Sequence, residues 1–148
     1  MRPNAGFTLL ELMIVLGIMV LGFGAVAVNM SAGNDSMTLK AATRDLASGL
    51  RYTRSQAMIS HTQATLNFDL TQNSYTLAGQ TKIHAIATDI DVTVSTAKED
   101  LSDGVAKLRF FPDGSSTGGR IILEKNKLSQ EININWLTGQ VSINLGEK

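Results

Sequence analysis

The sequence predicts an α+β protein in which one long amino-terminal helix packs on antiparallel strands. Between Leu39 and Ala57, apolar residues recur at spacings of three and four, which is the pattern of a helix with one buried stripe. From residue 62 the period changes to two, which is typical of half-buried strands. The length of 148 residues fits one modest domain and one appendage.

The overall composition excludes several classes of function. Lysine plus arginine and aspartate plus glutamate each number 13, so the balanced charge disfavours a nucleic-acid partner. The chain has no cysteine, which excludes disulfides, thiolate metal sites and thiol nucleophiles. We expect no cofactor and no catalytic site, because the two histidines have no acid and nucleophile at a useful spacing.

The first element is a short leader, residues 1–6, followed by an apolar segment, residues 7–28. As a helix, this segment would span about 33 Å, close to the thickness of the hydrocarbon core of a bilayer. The small residues Ala5 and Gly6 precede the apolar segment, whereas a secretory signal has them after it. Cleavage there would leave the anchor on the mature protein. Arg2 favours a cytoplasmic amino terminus, with the remainder facing outward.

Glu11 is the single charge in the apolar segment. A charged side chain at the centre of a membrane helix costs about 2.5 to 3.5 kcal/mol, so an acid at such a position usually has a partner. Cleavage after Gly6 would create one, the α-amino group of Phe7. Glu11 cannot reach this amine on its own helix without disrupting the first turn, but it could pair with the amine of a neighbouring subunit. The alternative interpretation is that Glu11 reaches the nearby membrane interface.

The second element, residues 29–60, is predicted as a hinge followed by an amphipathic helix. The segment Asn29 to Ser36 is polar and contains Gly33, which indicates a flexible joint, and the helix is expected from Met37 to Ser60. Its apolar residues and its basic residues each recur at spacings of three and four, so each set lies on one face of the helix. The basic residues are Lys40 and the candidate subunit contacts Arg44, Arg51 and Arg54. A solvated face is the alternative interpretation.

The third element, residues 61–148, is predicted to be rich in strands. A hairpin is expected around a turn at 69–73, and a mobile loop at 97–104. Further strands are expected at 90–95, 105–111, 120–124, 131–136 and 140–145. Trp136 alternates with Ile132 and Ile134, which predicts that it packs in the core. The alternative interpretation is an exposed contact residue beside a turn.

Two other patterns are candidates for binding sites. The run Gly114 to Gly119 resembles a phosphate loop but lacks its lysine, so it is interpreted as a hairpin turn. Four aspartates could supply oxygen ligands to calcium, but their spacing does not match an EF-hand and no metal is assigned to them. They are Asp89, Asp91, Asp100 and Asp103.

The segment Gly6 to Leu12, GFTLLEL, resembles the processing motif of type IV pilins and type II secretion pseudopilins. The resemblance implies that a prepilin peptidase cuts after Gly6 and methylates Phe7. It also implies that Glu11 acts in assembly.

Three further segments resemble one branch of these proteins, the type II secretion protein H and FimT-type minor pilin group. They are Asp45 to Ala57, Phe111 to Ser116 and Trp136 to Val141.

The resemblance implies a type IV pilin-like fold and the function of a minor pseudopilin. Such a protein joins the tip of a periplasmic pseudopilus that exports folded proteins. The expected partners are other pseudopilins or pilins, the prepilin peptidase, an assembly platform and the inner membrane, which it would cross once. A minor type IV pilin for pilus assembly or DNA uptake is the alternative. The chain ends with the single cation Lys148, which weakens the case for DNA binding.

Overall fold

A computed structural model describes residues 8–97 and 100–145, with the backbone alone at 23–33 and 145. The described part comprises one α-helix and nine β-strands. Contacts within the chain divide it into two units, Met1–Asp35 and Ser36–Lys148. The second unit contains the core and all nine strands.

The helix α1 extends from Leu9 to Ser60. Thr8 caps its first turn, because its Oγ1 accepts a hydrogen bond from the Glu11 N–H at 3.3 Å. The Leu12 N–H donates to the Thr8 carbonyl, also at 3.3 Å, which is the first helical hydrogen bond. The spacing Thr8 to Glu11 is that of a capping box. The chemistry of these side chains therefore sets where the helix begins.

The helix continues through the predicted joint. The sequence analysis expected a second helix to begin at Met37, but α1 is uninterrupted from Asn29 to Ser36, so that prediction is wrong. Glycine costs only about 1 kcal/mol relative to alanine inside a helix, and asparagine and serine cost less. No proline occurs between Phe7 and Ser60 to force a break.

The helix does not meet the requirements of a membrane span within the described residues. In that part of the chain, no helix combines the length and apolar character needed to cross a bilayer. The predicted span 7–28 includes Phe7 and the side chains of 23–28, which lie outside what the structure describes.

The predicted buried stripe of α1 is confirmed. Leu39, Leu46 and Leu50 are almost completely buried, and Ala42 packs against the same core. The polar residue Thr53 can lie in this buried stripe because its hydroxyl donates a hydrogen bond to the Gly49 carbonyl at 2.9 Å, so its Oγ1 is not left without a partner. These side chains form one wall of the core.

The strands form two antiparallel sheets. The first has the order β3-β2-β1-β6-β5 and the second the order β4-β7-β8-β9. The strands are β1 Ala64–Asp69, β2 Ser74–Thr76, β3 Ile83–Ala85, β4 Asp91–Ser95, β5 Leu101–Ser102, β6 Val105–Phe110, β7 Gly119–Lys125, β8 Leu128–Ile134 and β9 Val141–Leu145. The fold is therefore α+β, as predicted.

Alternation along the strands places their apolar residues in the core. Leu66 and Phe68 of β1 are buried and lie opposite Leu108 and Ala106 of β6. In the second sheet, Ile121 of β7 is opposite Ile132 of β8. The predicted hairpin around 69–73 is confirmed by the pairing of β1 with β2.

The structure adds two short strands that the sequence analysis missed, β3 and β5. β5 lies in the segment 97–104, which was expected to be a mobile loop, so that prediction is wrong for the described residues there. Asp100 is buried and its Oδ1 lies 2.9 Å from Arg109 Nε. This ion pair ties the segment to β6.

Candidate assembly sites

Glu11 is exposed in the first turn of α1. Its backbone N–H is bound by Thr8, but its carboxylate has no hydrogen bond or ion pair with any residue that the structure describes. The positive end of the helix dipole favours an acid at this position.

The residues around Glu11 form an exposed apolar surface. Leu9, Leu10 and Leu12 are 80%, 70% and 57% exposed. The large apolar side chains of the next turns are exposed as well. They are Met13, Ile14, Val15, Leu16, Ile18, Met19, Val20 and Leu21. A contiguous apolar surface of this kind indicates a membrane or protein contact. Gly6 and Phe7, predicted as the processing site, lie outside the described residues.

The arginines on the basic face of the helix differ in whether they donate a hydrogen bond to the strand domain. Arg51 Nη2 donates to the Val141 carbonyl at 3.1 Å, and Arg54 Nε donates to the Gly114 carbonyl at 3.0 Å. Arg44 is exposed and has no such bond to a described residue. Arg51 and Arg54 therefore hold α1 to the strand domain. This internal role was missed because helical periodicity does not reveal which carbonyl oxygens the fold brings to each side chain.

The structure brings two distant turns together at Arg54. One turn contains Gly114 and the other contains Gly139, which has a φ of 62°. A Cβ on Gly139 would clash with the Gly114 carbonyl oxygen and lie 2.9 Å from Arg54 Nε. Glycine is thus required at this close approach. The three segments that resemble the protein H group, 45–57, 111–116 and 136–141, meet at these contacts.

Trp136 lies on the surface, not in the core as predicted. Its side chain is 67% exposed, because β8 ends at Ile134 and alternation stops there. Asn135 Oδ1 accepts hydrogen bonds from the N–H groups of Leu137 and Thr138, which forms an Asx turn. The asparagine is the signal that would have predicted the end of the strand.

The aspartates weighed as calcium ligands do not converge. Lys125 Nζ lies 2.8 Å from Asp89 Oδ2, and a hydrogen bond from this lysine lowers the pKa of the aspartate. Asp100 forms an ion pair with Arg109. No group of three or more potential metal ligands occurs among the residues that the structure describes.

The turn predicted in the run Gly114 to Gly119 is confined to its start, because Ser116 forms a bridge with Phe110 and Gly119 is the first residue of β7. β6 and β7 lie in different sheets, so the expected hairpin between them does not form. Asp113 Oδ1 accepts hydrogen bonds from both the hydroxyl and the N–H of Ser115, and these lower the pKa of Asp113. The isolated bridge between Phe110 and Ser116 closes the turn.

Comparisons with known proteins match the chain over both of its parts. Residues 42–139 match the family model of the type II transport protein GspH. The chain belongs to the GspH family. Residues 1–27 match the prokaryotic N-terminal methylation motif. The GspH-family chain is also 31% identical over 141 residues to type II secretion system protein H of Xanthomonas campestris pv. campestris, covering 95% of this chain and 83% of the relative.

Solved structures confirm the pilin-like fold of this GspH-family protein. The minor pseudopilin EpsH of Vibrio cholerae superimposes with a TM-score of 0.57 at 10% identity, covering 74% of this chain and 98% of that one. The type IV minor pilin FimU of Pseudomonas aeruginosa gives 0.55 at 16% identity, covering 74% and 88%. At these identities the likeness concerns the fold alone.

Family membership makes the protein a minor pseudopilin of type II secretion, a structural component that assembles with other pseudopilins. Together with the methylation motif, it indicates a membrane-anchored periplasmic protein.

Proposed function

We propose that this minor pseudopilin is cut after Gly6 by the prepilin peptidase, methylated on Phe7, and passed by an assembly platform into the tip region of a periplasmic pseudopilus that drives the export of folded proteins. Its segment 7–28 crosses the inner membrane once, with the amino terminus in the cytoplasm and the strand domain in the periplasm. The match to the methylation motif over residues 1–27 supports the processing step. Arg2 supports the orientation. The role is assembly and not catalysis.

The carboxylate of Glu11 is the observation that carries the mechanism. It is exposed and has no cation among the described residues, although leucines surround it on the helix. In the proposed filament it pairs with the Phe7 amine of the adjacent subunit. Each of these charges is costly to desolvate alone, and pairing removes much of that cost. The interaction therefore favours incorporation over the isolated membrane-bound state.

Processing is tested by amino-terminal sequencing of the full chain purified from membranes. We expect the first residue to be methylated Phe7. Gly6→Val places a branched side chain at the cleavage site and should leave the chain beginning at Met1. Asn4→Val, a matched change within the leader, should be processed normally. A mature wild-type protein that begins at Met1 would refute the proposal.

Charge pairing is tested with two substitutions of Glu11. Glu11→Gln keeps the size but removes the charge, so the protein should still be processed and membrane-inserted while its amount in isolated pseudopili falls at least tenfold. A tenfold loss corresponds to about 1.4 kcal/mol. Glu11→Asp keeps the charge and should retain part of the incorporation. Wild-type incorporation of Glu11→Gln would exclude the ion pair.

A further inference from the structure

The strand β3, Ile83–Ala85, has an open edge. Among the described strands it is the outermost of the first sheet, and β2 is the one strand with which it pairs. The Ile86 N–H donates to the Asn73 carbonyl at 2.9 Å, which fixes the alternation of hydrogen bonds along this pair. Tyr75 and His84 therefore form the hydrogen-bonded pair, and the main-chain groups of Ile83 and Ala85 point away from β2. Ile83 is 61% exposed.

The open edge borders a groove of about 760 Å³ between β3 and α1. The helix side of the groove contains the small residues Ala41, Ala42, Ser48 and Gly49 together with Thr38, Asp45 and Tyr52. The stacked rings of Tyr75 and His84, with centroids 5.0 Å apart, lie on the strand side. Gly49 is covered by Leu77 and Tyr75, so the open part of the helix side is at Ala41 and Ser48, which are exposed.

The charges of the groove disfavour a strongly charged ligand. Asp45 lines it on the helix and Lys82 lines it next to β3, so the two opposite charges offset each other. Nucleic acid and anionic lipid surfaces are attracted by basic clusters, which this groove lacks among its described residues.

We infer that this groove binds an extended segment of a neighbouring pseudopilin, which adds to β3 as a further strand. The main-chain groups of Ile83 and Ala85 are regularly spaced donors and acceptors, and an extended backbone matches that spacing whereas a helix has already used its own groups. Apolar side chains of the added segment would contact Ile83 and the small residues of α1. The inference rests on the proposed role in filament assembly and names a contact surface for it.

The test uses substitutions of Ala85 in the full chain, expressed with the other components of the secretion system. Ala85→Pro removes the outward N–H but no hydrogen bond to β2, and proline is tolerated on an edge strand. Ala85→Ser keeps the N–H and a small side chain and is the matched control. Ser48→Trp fills the groove from the exposed side of the helix and leaves the strand unchanged.

The contact is measured by crosslinking. The protein has no cysteine, so Ile83→Cys provides a unique position for a benzophenone maleimide. We expect this label to crosslink to another pseudopilin, and adding Ala85→Pro or Ser48→Trp to reduce the crosslink at least tenfold, with Ala85→Ser unchanged. Resistance to limited proteolysis reports whether each variant is folded. Ser48→Trp decides the test if Ala85→Pro fails to fold.

The outcomes separate this inference from the proposed function. Folded variants that crosslink like the wild type would overturn the groove as a docking site while leaving assembly intact. Crosslinking of position 83 to an exported protein, and not to a pseudopilin, would also overturn the inference. If the wild-type protein is absent from pseudopili altogether, the proposed function itself is wrong.

Discussion

Replacing Arg54 by methionine should destabilise the strand domain. The guanidinium Nε donates to the Gly114 carbonyl at 3.0 Å, and the side chain is half-buried. Methionine keeps most of the aliphatic stem but leaves that carbonyl without its charged donor. A hydrogen bond to a charged group contributes about 1.5 to 3 kcal/mol, and partial exposure reduces the expected loss to about 1–2 kcal/mol.

This loss can be measured by thermal unfolding of the full chain in detergent, followed by circular dichroism. For a domain of about 100 residues, a loss of about 1 kcal/mol in the free energy of unfolding lowers the thermal midpoint by about 4 °C. We therefore expect the midpoint to decrease by about 4–8 °C.

Arg44→Met is the matched control for Arg54→Met. Arg44 lies on the same helix and is exposed, with no hydrogen bond or ion pair to a described residue, so its replacement should change the midpoint by less than about 2 °C. Equal midpoints for the two variants would refute the conclusion that Arg54 fastens the helix to the turns. A normal midpoint with defective assembly for Arg54→Met would instead assign Arg54 to a subunit contact.

Two further predictions concern the core and pH. Leu46→Ala should reduce the free energy of unfolding by about 2 to 5 kcal/mol, because Leu46 is fully buried. Ile59→Ala, at an exposed position of α1, should have little effect. Similar denaturant midpoints for the two variants would argue against the assigned burial. Burial, followed by the charge of Asp45, raises the pKa of Tyr75 above its ordinary value of 10.0, so the folded state holds this proton more tightly than the unfolded state. Stability should therefore decrease as pH rises above about 10, and less in Tyr75→Phe than in the wild type; parallel pH profiles would contradict this.

The parts of the fold that could be predicted are those in which local pattern and burial agree. The helical stripe from Leu39 to Ala57 and the longer alternating strands have strong periods, because a single core covers one face of each. β3 was missed because Ile83 and Ala85 are exposed and only three residues pair. A strand whose outer residues are not buried has no hydrophobic period to detect.

The errors at Trp136 and at the expected joint have different physical causes. Alternation extrapolated through Asn135 failed because a local side-chain hydrogen bond ended the strand first. At Asn29 to Ser36, weak residue preferences suggest a break, but none of these residues forbids helical backbone and α1 continues through all of them. Gly6 and Phe7 are predicted as the processing site from a motif alone, because a reaction with an enzyme outside the chain cannot be derived from packing.

We expect folding and assembly to depend on different residues of this protein. In the strand domain, large side chains such as Phe68 and Leu46 are buried, and Arg54 satisfies a carbonyl within the chain. Near Glu11, by contrast, the apolar side chains are exposed and the carboxylate has no described partner. Variants of the first group should therefore lower the unfolding midpoint before they affect incorporation. Glu11→Gln should reduce incorporation at an unchanged midpoint, and a parallel loss of both quantities would show that the helix start contributes to the fold.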